Sequence, residues 1–277
     1  MEQIDPRLVP KRTLNNGEQI PCIGMGTFGS DHVSPEEVSA AVAGAIRCGY
    51  RLFDCASVYG NEDQIGPVLE DAMREGVVSR EDLFIVSKVW NDMHGKGDVL
   101  LSCAQTLKDL RLDYLDAYFV HWPFANYHAP GCDGDSRNPD SKPFRVEDFM
   151  ATWHQMERLH DMGLVRSLGM SNMTIPKLEA VLPLCRVKPA LIEMELHPSF
   201  QQPELFAYCV EHGVQPVGFC PIGSPRRPDR DMCDDDVCDT AMPAVVEVAQ
   251  AHGIHPANVC LKWAAQRGAA APRAPTG

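Results

Sequence analysis

Four polar residues in this chain have the types and spacing for chemistry: Asp54, Tyr59, Lys88 and His121. Asp54 closes the run Leu52-Phe53-Asp54, Lys88 lies near the end of the apolar run 84–89, and His121 closes 118–121. Tyr59 follows Asp54 by five residues, in the loop from Cys55 to Gly60. Each alone has an ordinary explanation: a capping Asp, a solvated Lys, a His satisfied by its neighbours. Four at corresponding places on consecutive units are less easily accidental. A phenol ionises near pH ~10, too high for easy proton exchange at neutral pH. A nearby ammonium favours the phenolate, and a carboxylate fixes that ammonium in place. His121 can orient a carbonyl oxygen by hydrogen bonding. Such a set suits protonating an oxygen while a hydride arrives at the carbon. No side chain supplies hydride, so a nicotinamide cofactor is required.

The elements that must position these residues alternate between short apolar runs and amphipathic helical stretches. Residues 12–20 read as a β-hairpin turning at Asn16-Gly17, and 23–25 as a short strand. Ser34-Pro35-Glu36-Glu37 opens a helix, with Ser at the cap and Pro in the first turn, and Gly49 ends it. Strands at 52–54, 84–89, 118–121, 167–171, 190–193 and 214–219 then alternate with helices at 62–74, 99–110, 146–162, 175–182 and 204–212. Two further helical stretches cover 243–251 and 258–267. Strands end near residues 25, 54, 88, 121, 171, 193 and 219, so neighbours lie 22 to 34 residues apart except across one gap. That is the length of a strand–helix unit, and seven in succession predict a (β/α) barrel with its site at the strand C-termini. The gap holds a Gly/Pro/Asp/Asn-rich insertion at 124–142, and 224–240 is a second polar loop. Residues 1–268 are expected to form one barrel domain. Residues 269–277, AAAPRAPTG, are expected to be a disordered tail, and no eighth strand is predicted.

Composition excludes more than it selects. Of the 277 residues, 44% are apolar and 23% charged, near globular averages. A net charge of −13 argues against nucleic acid or an anionic membrane as partner. The N-terminus has no apolar core of a signal peptide, and no apolar run reaches the ~20 residues of a membrane span. The eleven cysteines are scattered without paired ligand spacing, so reduced thiols in the cytoplasm are expected. Cys233 and Cys238 flank an acidic run whose simpler reading is a solvated loop, and no metal is expected.

Gly24-Met25-Gly26-Thr27-Phe28-Gly29 matches G-x-G-x-x-G. A dinucleotide fold needs a helix opening on these glycines and a carboxylate ~20 residues on. Here the helix opens at Ser34, and the region of Cys48 and Gly49 has no acid. Glycines that let backbone approach a ligand after a first barrel strand explain the match better.

At these residues the chain resembles the aldo-keto reductase family. The matching stretches include 23–27, Phe53-Asp54-Cys55-Ala56 with Tyr59-Gly60-Asn61-Glu62, and Ser87-Lys88-Val89-Trp90. They continue with 112–116 leading to His121-Trp122-Pro123, then Gly169-Met170-Ser171-Asn172, Glu195-Leu196-His197-Pro198 and Pro221-Ile222-Gly223-Ser224. The resemblance spans about residues 12 to 268. It implies a (β/α)8 TIM barrel that reduces aldehydes, ketones or sugars with NADPH, NADH being possible. It also implies Tyr59 as general acid, tuned by Lys88 and Asp54, with His121 orienting the substrate. Thr27 and Asp54 would lie by the nicotinamide ribose, Ser171 and Asn172 would hold the carboxamide, and Ser224 would contact the cofactor. Phe28, Trp90 and Trp122 would line the substrate pocket.

The chain departs from the family pattern in three places. Glu193 stands where the family has a Gln on the carboxamide; an ionised Glu accepts but cannot donate. Phe219 replaces a stacking Tyr and keeps the aromatic face. After Gln266-Arg267-Gly268 the expected eighth strand and basic 2′-phosphate motif have no counterpart. A barrel lacking strand 8 would expose two sheet edges, and a lost phosphate grip would lessen the preference for NADPH over NADH. Two readings therefore stand: a working carbonyl reductase, or a catalytically impaired relative acting by partner binding.

Overall fold

The computed structural model describes residues 4–29, 32–125, 142–223 and 238–273. A hairpin of β1 (Lys11–Thr13) and β2 (Gln19–Pro21) precedes eight parallel strands. These are β3 (Ile23–Gly26), β4 (Leu52–Asp54), β5 (Phe84–Val89), β6 (Leu115–Val120), β7 (Val165–Ser171), β8 (Leu191–Glu195), β9 (Gln215–Phe219) and β10 (Ala271–Arg273). The helices are α1 (Pro35–Cys48), α2 (Glu62–Arg74), α3 (Asp98–Leu110), α4 (Val146–Asp161), α5 (Ile175–Val181), α6 (Pro203–Glu211), α7 (Pro243–His252) and α8 (Pro256–Arg267). In the sheet β10 pairs with β3, and the order then follows the chain to β9.

Local signals account for the helix ends. Ser34 and Glu37 form a reciprocal capping box at the start of α1, and Gly49 closes it at φ 102°, a left-handed conformation that a side chain would strain. The strands β5 and β6 are buried along their whole length, as both faces of a parallel sheet require. β6 starts earlier than the apolar run predicts, because Asp116 is neutralised inside the sheet: its carboxylate accepts from Arg80 and from the Ile85 amide, both at 2.8 Å.

The absent eighth strand is an expectation the structure corrects. Residues 271–273 pair in parallel with 23–25. On the other side, Gly218 N–H donates to Ala270 O at 2.7 Å, and Ala270 N–H to Pro216 O at 3.1 Å. Ala271 N–H donates to Cys22 O at 2.9 Å, so the seam is held from both edges. An Ala-Ala-Ala-Pro run has weak intrinsic strand preference, and Pro cannot donate to a ladder. Neither obstacle operates here. The closing donors come from Ala270 and Ala271, and Ala269, Ala270 and Ala271 are fully buried. Residues 274–277 of the expected tail lie outside the described residues, as do 126–141 of the long insertion and 224–237 of the second loop.

One apolar layer lies between the strands and the helices, including Phe53, Ile85 and Trp153. A second fills the barrel, where the hairpin residues Leu14 and Ile20 join Leu52, Phe84 and Phe119. The hairpin thus plugs the end where the strands begin and leaves the C-terminal end for polar chemistry. The glycine decoy resolves within this packing. Gly24 lies inside β3, and a Cβ there would overlap the Leu52 side chain. Close packing, rather than approach to a ligand, is what this glycine provides.

Among the described residues no helix is long and apolar enough to cross a membrane. No group of three His, Cys, Asp or Glu among them could hold a metal. Cys233 lies outside the described residues, and Cys238 contacts the Thr240 hydroxyl at 2.9 Å.

Candidate active site

The barrel carries the four candidate catalytic residues to one end. Asp54 is the last residue of β4, Lys88 the fifth of β5, and His121 the first residue past β6. Tyr59 lies on a single 3-10 turn, Ser57–Tyr59, closed by Gly60 at φ 63°. The Ser57 hydroxyl donates to Lys88 O at 3.1 Å, and the Asn61 amide donates to Thr27 O at 2.8 Å. These bonds fix the Tyr59 turn against the exits of β5 and β3.

Lys88 is the hub. Its Nζ donates to Asp54 Oδ1 at 2.5 Å, to Cys55 O at 3.1 Å and to Tyr59 OH at 3.4 Å. Those three bonds use its three N–H groups. Glu193, in the middle of β8, brings a second carboxylate: its Oε2 lies 3.6 Å from Nζ, buried and without a hydrogen bond. One cation is therefore shared by two carboxylates with almost no contact with water.

The electrostatics follow from that sharing. Burial pulls the Lys88 ammonium down, but Asp54, Glu193 and Tyr59 together outweigh it and hold it well above the ordinary lysine range. Burial pushes Glu193 up, Asp54 adds to the push, and the result is about 8. Tyr59 is also raised, burial outweighing the downward pull of Lys88. The ammonium acts in the expected direction, but the net shift runs the other way, because burial and two carboxylates oppose it. His121 lies well below the ordinary histidine range, through burial, the Lys88 charge and His94. It is thus a neutral imidazole, and its Nδ1 is buried without a partner.

Aromatic rings pack on Tyr59 and His121. Phe28 packs on Tyr59 at 5.0 Å between ring centroids, and Trp90 meets His121 edge-on at 5.0 Å. Tyr59 and His121 lie 5.9 Å apart, also edge-on. Trp122 packs on Phe124 at 5.8 Å.

The candidate cofactor residues occupy the neighbouring strand ends. Thr27, just past β3, donates its hydroxyl to Asp54 O at 3.0 Å. Ser171 ends β7 in register with Glu193. The Asn172 amide donates to His121 O at 2.9 Å and to Ser171 Oγ at 3.2 Å. Asn172 holds φ 58°, a left-handed conformation that asparagine adopts more readily than most other non-glycine residues. Phe219 ends β9 in register with Glu195. Ser224 lies outside the described residues.

Some participants carry no signal strong enough to be singled out from sequence. Glu62 opens α2 but turns inward, accepting from Ser87 Oγ at 2.5 Å and Thr106 Oγ1 at 2.9 Å. Burial raises it to about 7. Asn91 follows Trp90 and is fully buried, with neither end of its amide bonded among the described residues. His94 is pulled down to about 4 by burial. The only cue in the sequence is position: a Trp-Asn pair directly after a strand whose second-last residue is Lys88.

The buried polar atoms can be tested against a nicotinamide carboxamide, which needs acceptors for its NH2 and donors for its oxygen. The Ser171 hydroxyl can donate, the Asn172 amide, its N–H groups spent on His121 O and Ser171 Oγ, can accept, and Glu193 Oε2 is an acceptor without a donor. The donor set fits the group.

Comparison with known proteins places this geometry in context. The profile of the Aldo/keto reductase family matches residues 22–275. The chain is 38% identical over 261 residues to aldo-keto reductase family 1 member A1 of Xenopus tropicalis, covering 94% of this chain and 78% of that protein. It is 39% identical over 255 residues to an aldo/keto reductase of Synechocystis sp., covering 92% and 76%. Among solved structures, the aldose reductase from Schistosoma japonicum superposes with a TM-score of 0.83 at 37% identity, covering 96% of this chain and 82% of that one.

Proposed function

Because the chain belongs to the aldo/keto reductase family, whose members reduce carbonyl compounds, we propose that it reduces aldehydes, ketones or sugars to alcohols, with NADPH as cofactor and Tyr59 as general acid. The observation that carries this reading is the Lys88 ammonium bonded at once to Asp54 and to the Tyr59 hydroxyl.

Each side chain has a part its surroundings support. Tyr59 keeps its proton until a carbonyl oxygen needs it, because burial raises it. Lys88 aims its charge at the phenolic oxygen and stabilises the phenolate left after proton transfer. Asp54 holds Lys88 in place from β4. His121, neutral and braced by Trp90, presents a nitrogen for hydrogen bonding to the carbonyl oxygen. Phe28 and Trp90, with Trp122 beyond, offer apolar walls to the substrate.

The cofactor supplies the hydride when bound. Ser171, Asn172 and Glu193 would hold its carboxamide, with Thr27 and Asp54 beside the ribose and Phe219 offering a ring face. Ser224 is assigned to the cofactor by resemblance alone. NADH remains the second candidate cofactor, and the cytoplasm the compartment that the scattered cysteine pattern favours. The competing reading, an impaired relative acting by partner binding, rested partly on a missing eighth strand, and β10 removes that support.

Mixing the folded protein with NADPH and a panel of reactive aldehydes tests the proposal. Aldehyde-dependent loss of NADPH absorbance is expected. No turnover with any of them, in a sample that binds NADPH, overturns it.

A further inference from the structure

Glu193 gives the site an ionisable negative charge that an amide side chain at the same place would not. Its neighbours decide what that charge does. Asp54 faces it from β4, Lys88 from β5 and the Tyr59 hydroxyl from the turn after β4; its register partners, Ser171 on β7 and Val217 on β9, carry no charge. Asp54 contacts the ammonium directly at 2.5 Å and neutralises it. Glu193 stands at 3.6 Å, after the N–H groups of Lys88 are spent. With Asp54 and Lys88 both charged, the trio sums to −1 when Glu193 is ionised and to zero when it is protonated.

A nicotinamide ring is a cation when oxidised and neutral when reduced. A negative charge beside it in a buried, low-dielectric site favours the cation, and the preference survives salt because the site is shielded from bulk ions. We propose that Glu193 sets the redox preference of this site: its ionised form favours the oxidised cofactor over the reduced one, and its protonation removes that preference. The inference rests on the reading that the nicotinamide binds beside Ser171, Asn172 and Glu193. Burial and the Asp54 charge push the Glu193 carboxyl up to about 8, so its charge state differs between mildly acidic and alkaline solution. An ionised Glu193 thereby favours loss of hydride from the bound reduced ring, and its protonation removes that push, with no change in the reacting groups.

The test is equilibrium binding rather than turnover. NADP+ and NADPH are titrated separately against the intrinsic tryptophan fluorescence at about pH 6.5 and about pH 9, on either side of the raised carboxyl. The readout is the ratio of the NADPH to the NADP+ dissociation constant. Titration of the cofactor phosphates is common to both forms and cancels in this ratio. For the wild type the ratio should rise roughly tenfold from the lower pH to the higher. Glu193→Gln, nearly isosteric, should hold it constant at the low-pH value. A wild-type ratio that stays within twofold, or a Glu193→Gln ratio that rises as the wild type's does, overturns the inference while leaving the cofactor reading intact. Failure of both cofactor forms to bind overturns the two together. The wild-type comparison needs no variant, so a poorly folding Glu193→Gln protein leaves the inference exposed to refutation.

Discussion

Lys88 and Glu193 lie 3.6 Å apart with no hydrogen bond between them, although both are buried. The pair is an ion pair by distance, but Asp54 already occupies the ammonium's best direction. Burying a charge without full compensation weakens a fold, so Glu193 should lower stability when ionised. Its folded value, about 8, lies above the ordinary glutamate value of 4.5. Between these values the folded state holds a proton that the unfolded state has lost, so stability falls as pH rises through the window. We predict that the urea unfolding free energy drops by on the order of 2 kcal/mol from about pH 5.5 to about pH 8, and that Glu193→Gln removes most of the drop. Glu62, raised to about 7, contributes in the same direction and should account for the remainder in a Glu62→Gln variant.

Removing the cation should be worse than removing either anion. Lys88→Met leaves the Asp54 carboxylate buried without its counter-ion, beside a Glu193 held protonated, and we expect a loss of about 3–5 kcal/mol at neutral pH. Asp54→Asn should cost less, because loss of the Asp54 charge lets Glu193 ionise as counter-ion to Lys88. Urea denaturation of the two variants checks the order. Equal losses would show that Glu193 does not interact with Lys88.

The barrel and the tetrad were legible in the sequence for the same reason. Parallel strands buried on both faces demand unbroken apolar runs, and Asp54, Lys88 and His121 stand out at the ends of such runs. What stayed hidden depends on contacts rather than pattern. β10 and the Ala270 before it are held by main-chain bonds to Pro216 and Cys22, which any residue but proline can donate, so the Ala-rich composition carried no strand signal. Glu193 was visible as an odd residue, but only folding brings it to Lys88. Tyr59 could be seen to need a nearby ammonium; that burial would outweigh the ammonium is a property of the assembled site.

The seam strand gives a stability prediction of its own. Ala270→Asp would bury an unpaired carboxylate in the apolar filling of the barrel, where the Ala270 methyl now lies, and should destabilise by about 3 kcal/mol or more. A thermal midpoint unchanged by that substitution would contradict β10 as the closing strand.

Gly24 separates packing from nucleotide binding. Gly24→Ala drives a methyl into Leu52. It should cost about 1–3 kcal/mol in urea denaturation while leaving NADPH affinity in the folded protein within about twofold. Loss of NADPH affinity at unchanged stability would restore the glycines as a nucleotide motif.

The central claim is that the proton comes from Tyr59. Replacing it by Phe keeps the ring against Phe28 and removes only the hydroxyl bonded to Lys88. The direct measurement is single-turnover oxidation of bound NADPH by an aldehyde in wild type and Tyr59→Phe, with NADPH affinity measured alongside. The expected result is a fall in rate of about 100-fold or more with affinity within about twofold. A Tyr59→Phe protein that binds NADPH and turns over at the wild-type rate would contradict the account.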